Sequence, residues 1–160
     1  MTHFSRRLLG AITLVVVLGP AWAADTPAPT SRAAVDKLAA ARAQIGAKHW
    51  AAAIDELRRV NDNNSADWNN LMGYSLRKGK TPDLAAAEKF YGEALRINPS
   101  HRGALEYSGE LYLMTGDLGK AEQRLSVLEK ACAMKCEEFA ELKTAVAQFK
   151  AAGNKYVAEP

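Results

Sequence analysis

Three small groups of residues in this chain have types and spacings that could do chemistry. Gly79-Lys80-Thr81 lies in the stretch "LRKGKTPDLAAAEKFYGEAL", Leu76 to Leu95, with Gly73 a few residues upstream. Those letters suggest a loop whose backbone N–H groups wrap phosphates, as in a nucleotide hydrolase. Cys132 and Cys136 are the only cysteines, spaced C-x3-C, and a pair this close can close a disulfide or capture a soft metal ion. His49 and His101 are the histidines beyond the N-terminal segment, and either could in principle move a proton or hold a metal.

The phosphate loop fails on count and on context. It requires G-x4-GK[ST] between a strand and a helix, whereas Gly73 and Gly79 enclose five residues and the segment before them has helix composition. Thr81-Pro82-Asp83 is instead expected to start a helix, with Thr81 as N-cap, proline at the first helical position and an acid in the first turn. Gly79 ends the helix before it. His49 and His101 stand at turns beside Trp50 and Ser100, with no acid or cysteine at ligand spacing. No Ser/His/Asp set, glycine-rich nucleotide loop or HExxH is present, so we expect no catalysis, no cofactor and no metal.

The elements that carry these residues are helices. From Ala33 to Ala152 the chain is rich in Ala, Leu, Glu, Lys and Arg and shows no period-2 alternation. Breaks fall at Gly46–His49, Asn61–Ser65, Gly79–Pro82, Asn98–Ser100 and Gly116-Asp117, leaving helices of about a dozen residues joined by short turns, the pattern of helix hairpins. Near the C-terminal end, Phe139, Leu142, Val146 and Phe149 share one helical face. Glu137 and Glu138 suit that helix's positive end, Lys150 its negative end, and Gly153 its stop.

The hairpins also resemble one another. "LEYSGELYLMTGDLGKAEQRLSVL" places Leu105, Ser108-Gly109 and Tyr112 at the spacing W-x2-L-G-x2-Y, and Gly116, Ala121 and Leu125 follow at the positions of a turn glycine, a small residue and a large apolar one. "WNNLMGYSL" and "AAAEKFYGEALRINP" repeat the pattern with Gly73, Leu76, Ala87, Tyr91, Ala94 and Pro99. A degenerate first copy uses Ala41, Ala53, Leu57 and Val60. The chain thus resembles a tetratricopeptide repeat protein, and with its C-x3-C pair it looks like a group of small exported bacterial members with no established biochemical activity. The resemblance implies an all-α fold: a right-handed superhelical solenoid of three hairpins and a C-terminal capping helix. Gly73 and Gly109 would sit at close helix crossings, opposite the small residues Ala87 and Ala121. The first helix of each repeat would line a concave groove carrying Arg42, Asn70, Tyr74, Arg77, Glu106, Glu110 and Met114. Some members clamp a peptide carboxylate with Lys, Asn and Arg there. Glu106 and Glu110 replace two of those residues, so this groove is expected to take an extended peptide or a partner's helix instead.

The N-terminal residues "MTHFSRRLLGAITLVVVLGPAWA" have the layout of a secretory signal peptide: Arg6 and Arg7, an apolar run, then Ala-x-Ala. We expect cleavage near Ala23 and residence in the periplasm, by the Sec or the Tat route. Of the 21 basic and 18 acidic residues, the signal removes two basic ones and no acid, leaving 137 residues with a formal charge of +1. That near-neutral balance argues against a nucleic-acid partner. The expected divisions are a signal at 1–23, a Pro-containing leader at 24–33, repeats at 34–65, 66–101 and 102–135, a capping helix at 136–152 and a tail at 153–160. In an oxidising compartment Cys132 and Cys136 are expected to form a disulfide. The expected function is a non-enzymatic protein–protein interaction module of the cell envelope, a scaffold or assembly factor. The alternative is a metal-binding or thiol-redox accessory protein that uses the two cysteines.

Overall fold

The computed structural model describes Asp36 to Tyr156; the signal, the leader and residues 157–160 lie outside the described residues. Among these residues there are seven α-helices and no strand: α1 (Ala39–Gly46), α2 (Trp50–Val60), α3 (Ala66–Lys78), α4 (Leu84–Ile97), α5 (Arg102–Met114), α6 (Leu118–Cys132) and α7 (Glu137–Ala151). None of the described helices is long and apolar enough to cross a membrane.

Local chemistry accounts for the helix ends. Ser65, Asp83, His101 and Asp117 are N-caps whose side chains accept from the backbone N–H of Trp68, Ala86, Ala104 and Lys120. The cap of α4 is therefore Asp83, two residues later than the Thr81 expected from the sequence. Its carboxylate accepts more strongly than a threonine hydroxyl, and Pro82 then stands before the helix rather than inside it. At the far end of α7, Gly153 takes a left-handed φ of +70° and its N–H donates to the Lys150 carbonyl.

Each helix packs on the next along the chain, giving hairpins α1–α2, α3–α4 and α5–α6 with α7 laid against α5 and α6. The odd-numbered helices also touch in series, α1 on α3, α3 on α5 and α5 on α7. This stacking is consistent with a helical solenoid, in which each hairpin covers the apolar face of its neighbour.

Two apolar clusters result. Leu38, Ala41, Leu57, Trp68, Leu71 and Met72 form the smaller, and the indole Nε1 of Trp68 donates to the Leu57 carbonyl at 2.7 Å. The larger runs from Ala87 and Tyr91 through Leu105, Leu111, Leu113 and Leu128 to Phe139, Leu142, Val146 and Phe149. Within it the helices approach closely at two glycines. A Cβ on Gly73 would stand 2.8 Å from the Tyr91 ring and 3.1 Å from the Ala87 carbonyl oxygen. At Gly109 the nearest atoms belong to Leu142, 2.6 Å away, so that close approach is to α7. Ala53, Ala87 and Ala121, the small residues of the second helices, are fully buried.

Candidate functional site

Three of the odd-numbered helices, α3, α5 and α7, bring side chains to one cavity. It measures about 640 Å³ and is walled by the C-terminal half of α3, the middle of α5 and the exposed face of α7. Four of the residues expected in a groove line it: Tyr74, Arg77, Glu106 and Glu110. Arg42, Asn70 and Met114 do not. Arg42 is an outer residue pairing with Asp36 and Asp67. Asn70 is buried, with its amide nitrogen beside Gly103, and Met114 offers its sulfur to Arg77 Nη1 at 4.0 Å.

Arg77 organises one end of the cavity. It is 4% exposed and its Nη2 pairs with Glu110 Oε2 at 2.5 Å. The guanidinium also lies over the Tyr74 and Tyr107 rings, 5.6 and 5.5 Å from their centroids. Burial works against the Arg77 charge, but the Tyr91 hydroxyl and the Glu110 carboxylate overcome it and hold its pKa above the ordinary value. Burial in turn pushes the Tyr91 phenol up, so it stays neutral beneath the ion pair. Arg77 Nε and the Tyr91 hydroxyl are both buried here, and neither makes a hydrogen bond of good geometry within the described residues.

Glu106, one turn before Glu110 on α5, is only 2% exposed. Burial raises its pKa, and a hydrogen bond with Glu141 of α7 and the charges of Glu110, Glu141 and Glu138 raise it further, to about 10. That environment favours the protonated form of Glu106, which lies beside Glu141 of α7 on the cavity wall. The same burial, with Glu106 next, pushes the Tyr107 phenol up.

Sequence reasoning missed most of the α7 wall: Glu141, Thr144, Gln148 and Phe149 all face the cavity, as do Tyr107 and, past the turn at Gly153, Tyr156. One signal was present for α5. The run "ALEYSGELYLM" is apolar on several faces at once, which marks a helix enclosed on all sides and so implies that its acids are enclosed too.

The other candidate groups resolve simply. Gly73 lies inside α3, Gly79 caps its end in extended geometry, and Lys80 and Thr81 belong to the bend before α4. His101 accepts the cap bond from Ala104 through Nδ1 and meets Asp67 through Nε2 at 2.9 Å, which makes it a structural bridge from α3 to α5. Cys132 and Cys136 are joined as a disulfide, with Cα atoms 5.7 Å apart, between the end of α6 and the N-cap of α7. Such a bond is compatible with an oxidising compartment. Among the described residues no group of three or more His, Cys, Asp or Glu could hold a metal ion.

No protein-family model matches the chain, and no curated protein matches it significantly.

Proposed function

We propose that the chain is a tetratricopeptide-like, non-enzymatic interaction module of a bacterial cell envelope that holds a peptide or partner segment in the cavity between α3, α5 and α7. One observation carries this reading: successive odd-numbered helices contribute to a single recess of about 640 Å³, lined by rigidly held aromatic and charged side chains. A recess of that size suits a few residues of an extended partner. Because its walls are helices with buried backs, the partner meets a preformed surface and no ordering cost falls on this side. Export to the periplasm follows from the N-terminal signal pattern and agrees with the disulfide.

The test is position-specific photocrosslinking in envelope extract. A photoreactive residue replacing Thr144 or Gln148, both exposed on the α7 wall, captures a discrete partner. The same residue replacing Lys89, an exposed position on α4 away from this cavity, does not. Equal capture from both faces, or capture from neither, refutes the groove reading.

A further inference from the structure

The turn before α2 and the bend after α3 meet at one edge of the stack, and a crevice of about 480 Å³ opens between them. None of its lining residues lines the larger cavity. Trp50 and Ile54 of α2 and Leu76 of α3, each half-buried, give it apolar walls. The Trp50 ring is held edge-to-face against Tyr74, with centroids 5.7 Å apart.

Charge in the crevice has one sign. Lys48 and Lys80, both exposed, line it from the two turns, and no acidic residue does. Neither lysine forms an ion pair with a described residue. The acids closest to it along the chain are committed elsewhere: Asp55 pairs with Arg58 at 3.3 Å, and Asp83 accepts from the Ala86 N–H to cap α4. Inside the crevice the buried Ser75 hydroxyl already donates to the Leu71 carbonyl at 2.8 Å. Thr81 adds an exposed hydroxyl next to Lys80.

That combination selects a ligand class. Apolar walls suit a hydrocarbon chain, whereas the N–H and C=O groups of a peptide laid against them would go unpaired at a cost. Two unpaired ammonium groups suit a single compact anionic head. Holding a membrane surface takes a cluster of roughly four to eight basic residues, which two lysines do not provide. We propose that the crevice binds a free, monomeric fatty carboxylate, its hydrocarbon chain on Trp50, Ile54 and Leu76 and its carboxylate between Lys48 and Lys80. Lys48 stands at a left-handed φ of +58°, a conformation that asparagine adopts readily, so Lys48→Asn removes the charge and keeps the turn.

The experiment uses the full chain, isotopically labelled, and three probes kept below micelle-forming concentrations: decanoate, octanoate and octanol. NMR titration at neutral pH is expected to shift the Trp50 indole N–H and the amides of Lys48, Ala51, Lys80 and Thr81. Decanoate should bind tighter than octanoate by about fourfold for each added methylene. Octanoate should bind about fivefold tighter than octanol, and that gap should close at about 1 M salt. Lys48→Asn combined with Lys80→Gln brings octanoate down to octanol and leaves octanol binding as it was. Lys89→Gln, exposed on α4 and outside the crevice lining, changes neither. Equal affinity for octanoate and octanol in the parent chain, or no shift at these positions with decanoate, overturns the proposal. Tighter binding of acetyl-Ala-Ala-Leu with a free carboxylate also overturns it, by assigning the crevice to a peptide end. Co-sedimentation with phosphatidylglycerol vesicles that the double lysine variant abolishes overturns it in favour of a membrane.

Discussion

Replacing Gly73 and Gly92 by alanine, one at a time, puts the same methyl group on two helices with opposite expected results. Both glycines are helical, and alanine in place of glycine favours a helix by about 1 kcal/mol. Gly92 is exposed on α4 and a Cβ there meets nothing within 4 Å, so Gly92→Ala gains that full term. At Gly73 the new carbon would lie 2.8 Å from two ring carbons of Tyr91 and 3.1 Å from a backbone oxygen of α4. Tyr91 is fully buried and sits under the Arg77–Glu110 pair, so its ring has nowhere to swing. Overpacking of this kind costs about 1–3 kcal/mol. The two variants should therefore differ by about 2 kcal/mol, with Gly92→Ala above the parent and Gly73→Ala below it. Urea unfolding followed by far-UV circular dichroism, with the disulfide intact, measures both; in thermal melts the gap should be roughly 5–10 °C. If Gly73→Ala is as stabilising as Gly92→Ala, the close crossing of α3 and α4 is wrong, and with it the stacking that places α3 beside the cavity.

Three further outcomes are expected. Arg77→Met leaves the buried Glu110 carboxylate facing no guanidinium and should cost about 3 kcal/mol in urea unfolding, most of it recovered when Glu110→Leu is added; a loss under about 1 kcal/mol would contradict the buried pair. Glu106 has a folded pKa raised to about 10 from an ordinary 4.5, so the folded state keeps a proton that the unfolded chain gives up. Its contribution is greatest below the unfolded value and declines as pH climbs toward the folded one; Glu106→Gln should flatten the fall in stability between about pH 5 and pH 9, and parallel profiles would sink that assignment. Alkylation followed by mass spectrometry should find no reactive thiol before reduction and both cysteines after it, and reduction should lower stability by about 2 kcal/mol on the chain-entropy estimate for so short a loop.

Much of the architecture is legible in the residues because it is set locally. Glycine, proline or asparagine marks every inter-helix turn up to α6, though not the Ala133–Cys136 turn before α7, and the spacing of Phe139, Leu142, Val146 and Phe149 marks the buried face of α7. The phosphate-like triplet is correctly read as a bend because its spacing is wrong for its chemistry. The site is less legible, since it depends on which helices meet. Nothing local to Glu106 says that Glu141 will oppose it 35 residues later, and nothing local to Gly109 says that Leu142 will fill the space its missing side chain leaves. Periodicity tells which face of a helix is covered but not by whom. For the same reason Arg77 and Glu110 could be placed in the groove from the sequence, while their pairing and depth of burial could not.

The division of the interior into two clusters bears on how the molecule comes apart. Trp68, Leu71 and Met72 belong with the N-terminal hairpin, while the walls of the recess are anchored in the other cluster by Tyr91, Leu113 and Leu142. Arrays of stacked hairpins lose their ends before their middles. The α1–α2 hairpin is expected to exchange its amide hydrogens through a low-energy, sub-global opening in which α5, α6 and α7 stay shut. Tethering or trimming at that end would then alter the chain's resistance to proteases without touching what the recess can hold.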